Sequence, residues 1–344
     1  MAPHDPRSRG RKKLDPFSYP IHTLIMHSDR ESAARIVSEI RAADRRVRAK
    51  VSFLKYQDQI GLFLFVFAIC GFFFTAWGAL QGLSYWIVIP LIAFFTSILH
   101  EIEHDLIHDL YYRGNRWIQN LMFAFIWILR PNTISPWKRK GIHLLHHKVS
   151  GSPPDIEERL ITNGMPYGFK RILCIMDGFL NMILRRREVE RIPGMRTFNI
   201  RLASLPMVPI FYGSILVECL LIATGNMSSI RTTLDFLMVV WVIPNVIRQA
   251  CLVFLSSTMH YYGGVDSVFR QTQVLNAWYF LPMQLFCFNF GSTHGIHHFV
   301  VNQPFYLREM VKRSAHAAFR ENGIHFNDLS TFRSANHYEP IGGI

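Results

Sequence analysis

The sequence predicts an all-α integral membrane fold: about four transmembrane helices in two hairpins, with a cytosolic helical cap. Three observations predict it. Half of the 344 residues are hydrophobic and the mean hydropathy is +0.15. Only 18% are charged, against roughly 25% in an average soluble domain. Apolar runs long enough to cross a bilayer come in pairs joined by short turns.

The elements follow in chain order. Residues 1–27 read as a flexible basic tail; the opening "MAPHDPRSRGRKKLDPFSYP" is basic and Pro-rich and lacks the apolar core of a secretory signal. Residues 28–56 read as an amphipathic surface helix. Ser28 and Glu31 fit a capping box, and Ile36, Ile40, Ala43 and Val47 make one stripe. It belongs on the membrane surface or packed on its own domain.

Residues 57–310 form the membrane domain. "IGLFLFVFAICGFFFTAWGAL", 60–80, reaches ~31 Å as a helix. The run 83–99 follows after a very short turn and leads straight into His100. The second hairpin pairs 202–225 with 234–255, and Arg248 marks either the membrane edge or a polar site in the last span. The runs 117–129 and 275–290 are short and read as interfacial or re-entrant helices. Residues 311–344 read as a cytosolic C-terminal tail.

Charge orients this layout. Residues 1–56 carry 13 Lys and Arg and residues 100–201 carry 16, whereas the turns 81–82 and 226–233 hold only Arg231. The positive-inside rule puts both termini and the central segment in the cytoplasm, in a plasma (inner) or endoplasmic reticulum membrane. Arg130, Lys138, Arg139 and Lys140 read as such charges, with binding of a carboxylate or headgroup as the alternative. The net charge of +13 suits anionic lipid or an acidic partner better than nucleic acid, because the chain is so apolar. Five Cys without C-x-x-C pairing argue against a disulfide framework.

The chemistry lies in histidine. Ten of the 16 His fall in four groups: His100, His104 and His108; His143, His146 and His147; His260; and His294, His297 and His298. On helices, these spacings aim imidazoles along one face. The predicted topology puts all four groups on one side of the membrane. A zinc hydrolase needs three protein ligands, so nine or ten imidazoles suit two ions. Two open-sited ions beside apolar helices point to redox iron acting on a lipid chain. The rival readings are a membrane zinc metallopeptidase using His100-Glu101-x-x-His104, with Glu101 as base, and a haem-binding or proton-relay protein.

The order H-x-x-x-H, H-x-x-H-H, lone His, H-x-x-H-H resembles the integral-membrane fatty acid desaturase and hydroxylase superfamily, over roughly residues 55–300. "HEIEH", "HHKVSGSPPDIEE" and "MHYYGG" are similar to box regions of membrane alkane hydroxylases. The motifs also resemble desaturase-like fatty acid decarboxylases that release terminal alkenes. The resemblance implies nine ligands for two irons cycling between Fe2+ and Fe3+: His100, His104, His143, His146, His147, His260, His294, His297 and His298. His108 is the alternative to His100 as partner of His104. Asp105 and Asp155 are the carboxylates best placed to accept the ligands' other ring N–H.

The implied activity is O2-dependent hydrogen abstraction from a fatty acid or acyl lipid. It gives desaturation or oxidative decarboxylation to a terminal alkene; hydroxylation of an alkane or fatty acid is the alternative. The chain carries no dinucleotide fingerprint or Cys-rich iron site. Electrons are therefore expected from a separate ferredoxin, rubredoxin or cytochrome b5 type carrier.

Overall fold

The computed structural model describes residues 18–195, 200–225 and 228–339. No β-strand forms among them; two isolated bridges, His260 with Thr272 and Val274 with Phe326, are the only sheet-like pairings. The architecture is all-helical.

Helix α1 (Ser18–Lys50) begins ten residues earlier than the sequence signals imply. Ser28 therefore lies inside the helix, and the expected capping box does not form. The part of the predicted tail from residue 18 is helical, while residues 1–17 fall outside the described residues. Ile36, Ile40 and Ala43 are buried against Leu307, Val311, Ala315 and Phe319 of a late helix. The stripe thus packs on the protein's own domain.

Helices α2 (Gln57–Leu80) and α3 (Tyr85–Ile107) form the first hairpin. Phe65, Phe72, Ile92, Leu99 and Ile102 fill their seam. At Gly71 an added Cβ would sit 2.3 Å from the Phe95 ring, so only glycine lets the two helices approach this closely. Outward-facing Phe63, Phe74, Trp77 and Trp86 are exposed. An apolar belt of this kind suits lipid. Helix α3 outruns its predicted span and carries the first histidines on the same continuous rod.

Helix α4 (Arg116–Leu129) is amphipathic, capped by Asn115, whose side chain accepts from the Ile118 N–H at 3.2 Å. Helix α5 (Pro136–Val149) opens with proline at its first position, where no intrahelical N–H is needed. Helix α6 (Ile156–Leu160) is a single turn capped by Asp155. Two short helices, Phe169–Met176 and Gly178–Leu184, lead on to α7 (Met207–Ala223).

The second hairpin departs from expectation. Helix α7 has 17 residues, or ~25 Å, short of a ~30 Å hydrocarbon core. Helix α8 (Ser229–Met259) is longer than predicted, at 31 residues. It slips to π geometry over Met238–Val242, just before Pro244, which has no N–H to continue the regular ladder. Three described helices, α2, α3 and α8, are long and apolar enough to cross a membrane. The 275–290 run is not one helix. It breaks into Trp278–Phe280 and Leu281–Leu285 and ends where Phe288 and Asn289 adopt positive φ.

Helix α9 (Phe290–Phe299) is buried along its whole length, and α10 (Phe305–Glu321) packs between it and α1. The segment after residue 310, expected as a tail, is packed in. Asn336 donates to the Ser257 and His260 carbonyls at 2.6 and 2.9 Å.

Candidate metal centre

Four elements deliver the histidines to one end of the bundle. The last two turns of α3 carry His100 and His104, with His108 as the residue that caps it. Helix α5 supplies His143, His146 and His147. At the end of α8, His260 turns extended and leaves the helix. Helix α9 starts from left-handed Asn289 and supplies His294, His297 and His298.

Two groups of four emerge. In one, His104, His108, His143 and His297 hold ring nitrogens within 4.8 Å of one another; in the other, His146, His260, His294 and His298 do the same. His147 stands between them. Its Nε2 is 3.2 Å from His143 Nε2 and 2.9 Å from His297 Nε2, and its ring centroid is 5.1 Å from that of His298.

Many of these approaches pair one Nε2 with another: His143 with His108 at 3.0 Å, His260 with His298 at 3.3 Å, His298 with His294 at 3.1 Å. The opposite ring nitrogens show why this matters. His260 Nδ1 donates to the Ser256 carbonyl at 2.7 Å, and His298 Nδ1 faces Gln271 Oε1 at 2.7 Å. With Nδ1 protonated, a neutral ring presents a lone pair at Nε2. Two lone pairs facing at 3.3 Å repel unless a cation stands between them. Nitrogens bound ~2.1 Å from one ion at right angles lie ~3.0 Å apart. The spacing and the donor set therefore fit two metal ions, and imidazole suits iron among others.

Acidic residues orient the second box. His146 Nδ1 lies 2.9 Å from Asp155 Oδ2, and His143 Nδ1 lies 2.8 Å from Glu157 Oε2. Asp155 also caps α6 through the Glu158 N–H at 3.1 Å. That cap fixes the turn which presents Glu157. Sequence reasoning passed over Glu157, although the acidic run "DIEE" was its signal. Asp105 stands farther from its histidine. It lies 3.8 Å from His104 Nδ1 and accepts instead from Tyr111, the Phe305 N–H and Arg308 at 2.8, 3.0 and 3.2 Å. Arg308 is a residue no motif pointed to.

Burial sets the protonation states. Burial first, then neighbouring imidazoles, hold His294, His297 and His298 well below the ordinary histidine value; His260 falls to about 3 for the same reasons. These rings are neutral and able to bind metal near pH 7. His146 is the exception. Burial, the largest single influence, lowers it, but the Asp155 carboxylate together with Glu157 and Glu158 outweighs burial and pushes it up to about 9. A metal must displace that proton.

His100 lies outside both groups. Its Nε2 is 3.1 Å from Arg139 Nη2, and its ring packs on Phe290. Its neighbour Glu101 is fully buried and bonded to Arg308 at 2.9 Å. Glu101 is thus engaged by Arg308 and stands outside both four-histidine groups. The geometry joins His104 with His108 instead.

A cavity of about 330 Å³ opens beside the histidines. His104, His143, His146, His260 and His294 line one side. Ile134, Leu160, Phe179, Val208 and Leu252 are among the apolar residues that line the rest. A largely apolar cavity lined in part by clustered imidazoles can hold a hydrocarbon chain against them.

No curated protein matches the chain. Residues 81–330 match the family model described as "Fatty acid desaturase". The match runs from the turn before α3 to beyond α10 and contains all ten clustered histidines. The chain therefore belongs to the fatty acid desaturase family and is an oxidoreductase.

Proposed function

We propose that His104, His108, His143, His146, His147, His260, His294, His297 and His298 bind two irons, and that the protein oxidises a fatty acyl chain lying in the cavity. The carrying observation is the pair of four-histidine groups beside a largely apolar cavity. The irons would supply activation of O2 and two-electron oxidation of an unactivated C–H bond.

The chain's own residues do the rest. Asp155, Glu157, the Ser256 carbonyl and Gln271 fix the tautomers and directions of four ligands. Leu252, Val253 and Phe290 exclude water from the reacting carbon. Removal of two hydrogens from adjacent carbons gives a C=C. Removal of one hydrogen from the carbon β to a carboxylate, with loss of CO2, gives a terminal alkene. The second reaction balances as RCH2CH2COOH + O2 + 2e− + 2H+ → RCH=CH2 + CO2 + 2H2O. Hydroxylation is the competing outcome at the same site.

The two electrons come from a separate one-electron carrier of ferredoxin, rubredoxin or cytochrome b5 type. The basic surface suits an acidic partner of that kind. The histidine end faces the cytoplasm in this reading, as the charge asymmetry supports. The test is expression in a bacterial host fed defined fatty acids, with products separated by gas chromatography and mass spectrometry. An internal alkene or a headspace 1-alkene, formed only with O2 and iron, is the expected result. A hydroxylated chain alone would move the protein to the hydroxylase branch; peptide cleavage alone would sink the reading.

A further inference from the structure

We propose that Arg130 and Arg139, backed by the buried Arg248, form a seat for the carboxylate of a free fatty acid. The proposal rests on the reading that the cavity takes an acyl chain, and it names the form in which that chain arrives.

Two of these guanidiniums share a single bonded carboxylate, Glu103. Arg130 Nη1 and Arg139 Nη1 both donate to it, the latter at 2.9 Å. Arg248 is tied to this corner through Asn245: it donates to Asn245 Oδ1 at 3.4 Å, and Asn245 donates to the carbonyl of Leu129, the residue before Arg130, at 2.9 Å. Arg130 and Arg248 are completely buried. Among the described residues, Arg130 Nε and Nη2 and Arg248 Nη1 have no hydrogen-bond partner. The bonded partners of Arg248 are neutral amides, Asn245 Oδ1 and, at 3.2 Å, Gln249 Oε1.

Two other buried guanidiniums are held differently, one by carboxylates and one by neutral groups that take all three of its nitrogens. Arg308 meets two carboxylates, Glu101 and Asp105. Arg171 bonds to Thr162, the Ser257 carbonyl and Asn336. An unbalanced buried charge is costly, so the excess at Arg130 and Arg248 calls for an anion.

Position selects the anion. Arg130, Arg139 and Gln249 line the same cavity as His104 and His143. Arg139 precedes His143 by one turn of α5. A planar carboxylate matches the guanidinium fork. A carboxylate seated there leaves the carbons nearest it closest to the histidines. The chemistry would fall near the carboxyl end, as decarboxylation requires.

The test uses the full chain, solubilised in detergent with iron bound. Equilibrium binding is measured for a radiolabelled saturated fatty acid, its methyl ester and its primary alcohol. The acid should bind ~10-fold or more tightly than either neutral probe. Arg248→Gln and Arg130→Gln should each weaken the acid by a similar factor and leave the ester unchanged. Equal binding of acid and ester by the unaltered protein, a comparison needing no variant, would overturn the seat alone. So would equal losses for acid and ester in the variants, or displacement of the acid by millimolar inorganic phosphate. Failure of all three probes to bind would overturn the acyl-chain reading as well.

Discussion

His297 Nε2 on α9 and His147 Nε2 on α5 stand 2.9 Å apart across 150 residues of sequence. The contact joins the second and third histidine boxes. Everything proposed for the site depends on such cross-element approaches, and they can be tested one by one.

His108→Ala should remove a ligand, and His100→Ala should not. Measured by plasma mass spectrometry, iron should fall well below two per chain in His108→Ala, with activity down by more than ~100-fold. His100→Ala should keep its iron. The reverse pattern would return His100 to the ligand set.

Asp155→Asn keeps the α6 cap but removes the charge that orients His146. Metal affinity should drop ~10–100-fold. Glu157→Gln should do the same for the group containing His143. Competition with a chromogenic chelator reads both, and unchanged affinity would assign these carboxylates to packing alone.

Stripping metal with a chelator should lower the melting temperature, because the nine ligand imidazoles then lose their two cations. Restoring Fe2+ to ~100 times its dissociation constant should recover about 2.7 kcal/mol. A thermal shift in detergent, with and without Fe2+, measures it; no shift would mean that the histidines do not hold iron.

Leu252 lines the cavity from α8. Leu252→Trp should shorten the chamber and move product profiles toward shorter chains, with iron content unchanged. A profile that keeps its chain-length optimum would place the acyl chain elsewhere.

Gly71→Ala should push α2 away from Phe95 of α3. Overpacking of this kind costs roughly 1–3 kcal/mol. It should appear as a lower melting temperature, whereas Gly213→Ala, which meets nothing within 4 Å, should be neutral.

Much of the fold was legible because membrane helices announce themselves locally. An apolar run of 21 residues has few alternatives in lipid, so the first hairpin is where the sequence put it. Hidden backbone effects defeated the rest. Pro244 redirects α8 into π geometry, and positive φ at Phe288 and Asn289 breaks the 275–290 run. Both depend on conformations that hydropathy does not encode.

For the site, sequence alone determined which residue type does the chemistry and which four segments carry it. Spacing put the imidazoles on helix faces, and periodicity needs no tertiary information. It could not choose between His100 and His108, because both sit one turn from His104 on the same side of α3. Nor could it tell a surface charge from Arg130, which is buried against Glu103. Those choices belong to the packing of α5, α9 and α10 against the end of α3. Only there does His108 meet His143 while His100 meets the Arg139 guanidinium.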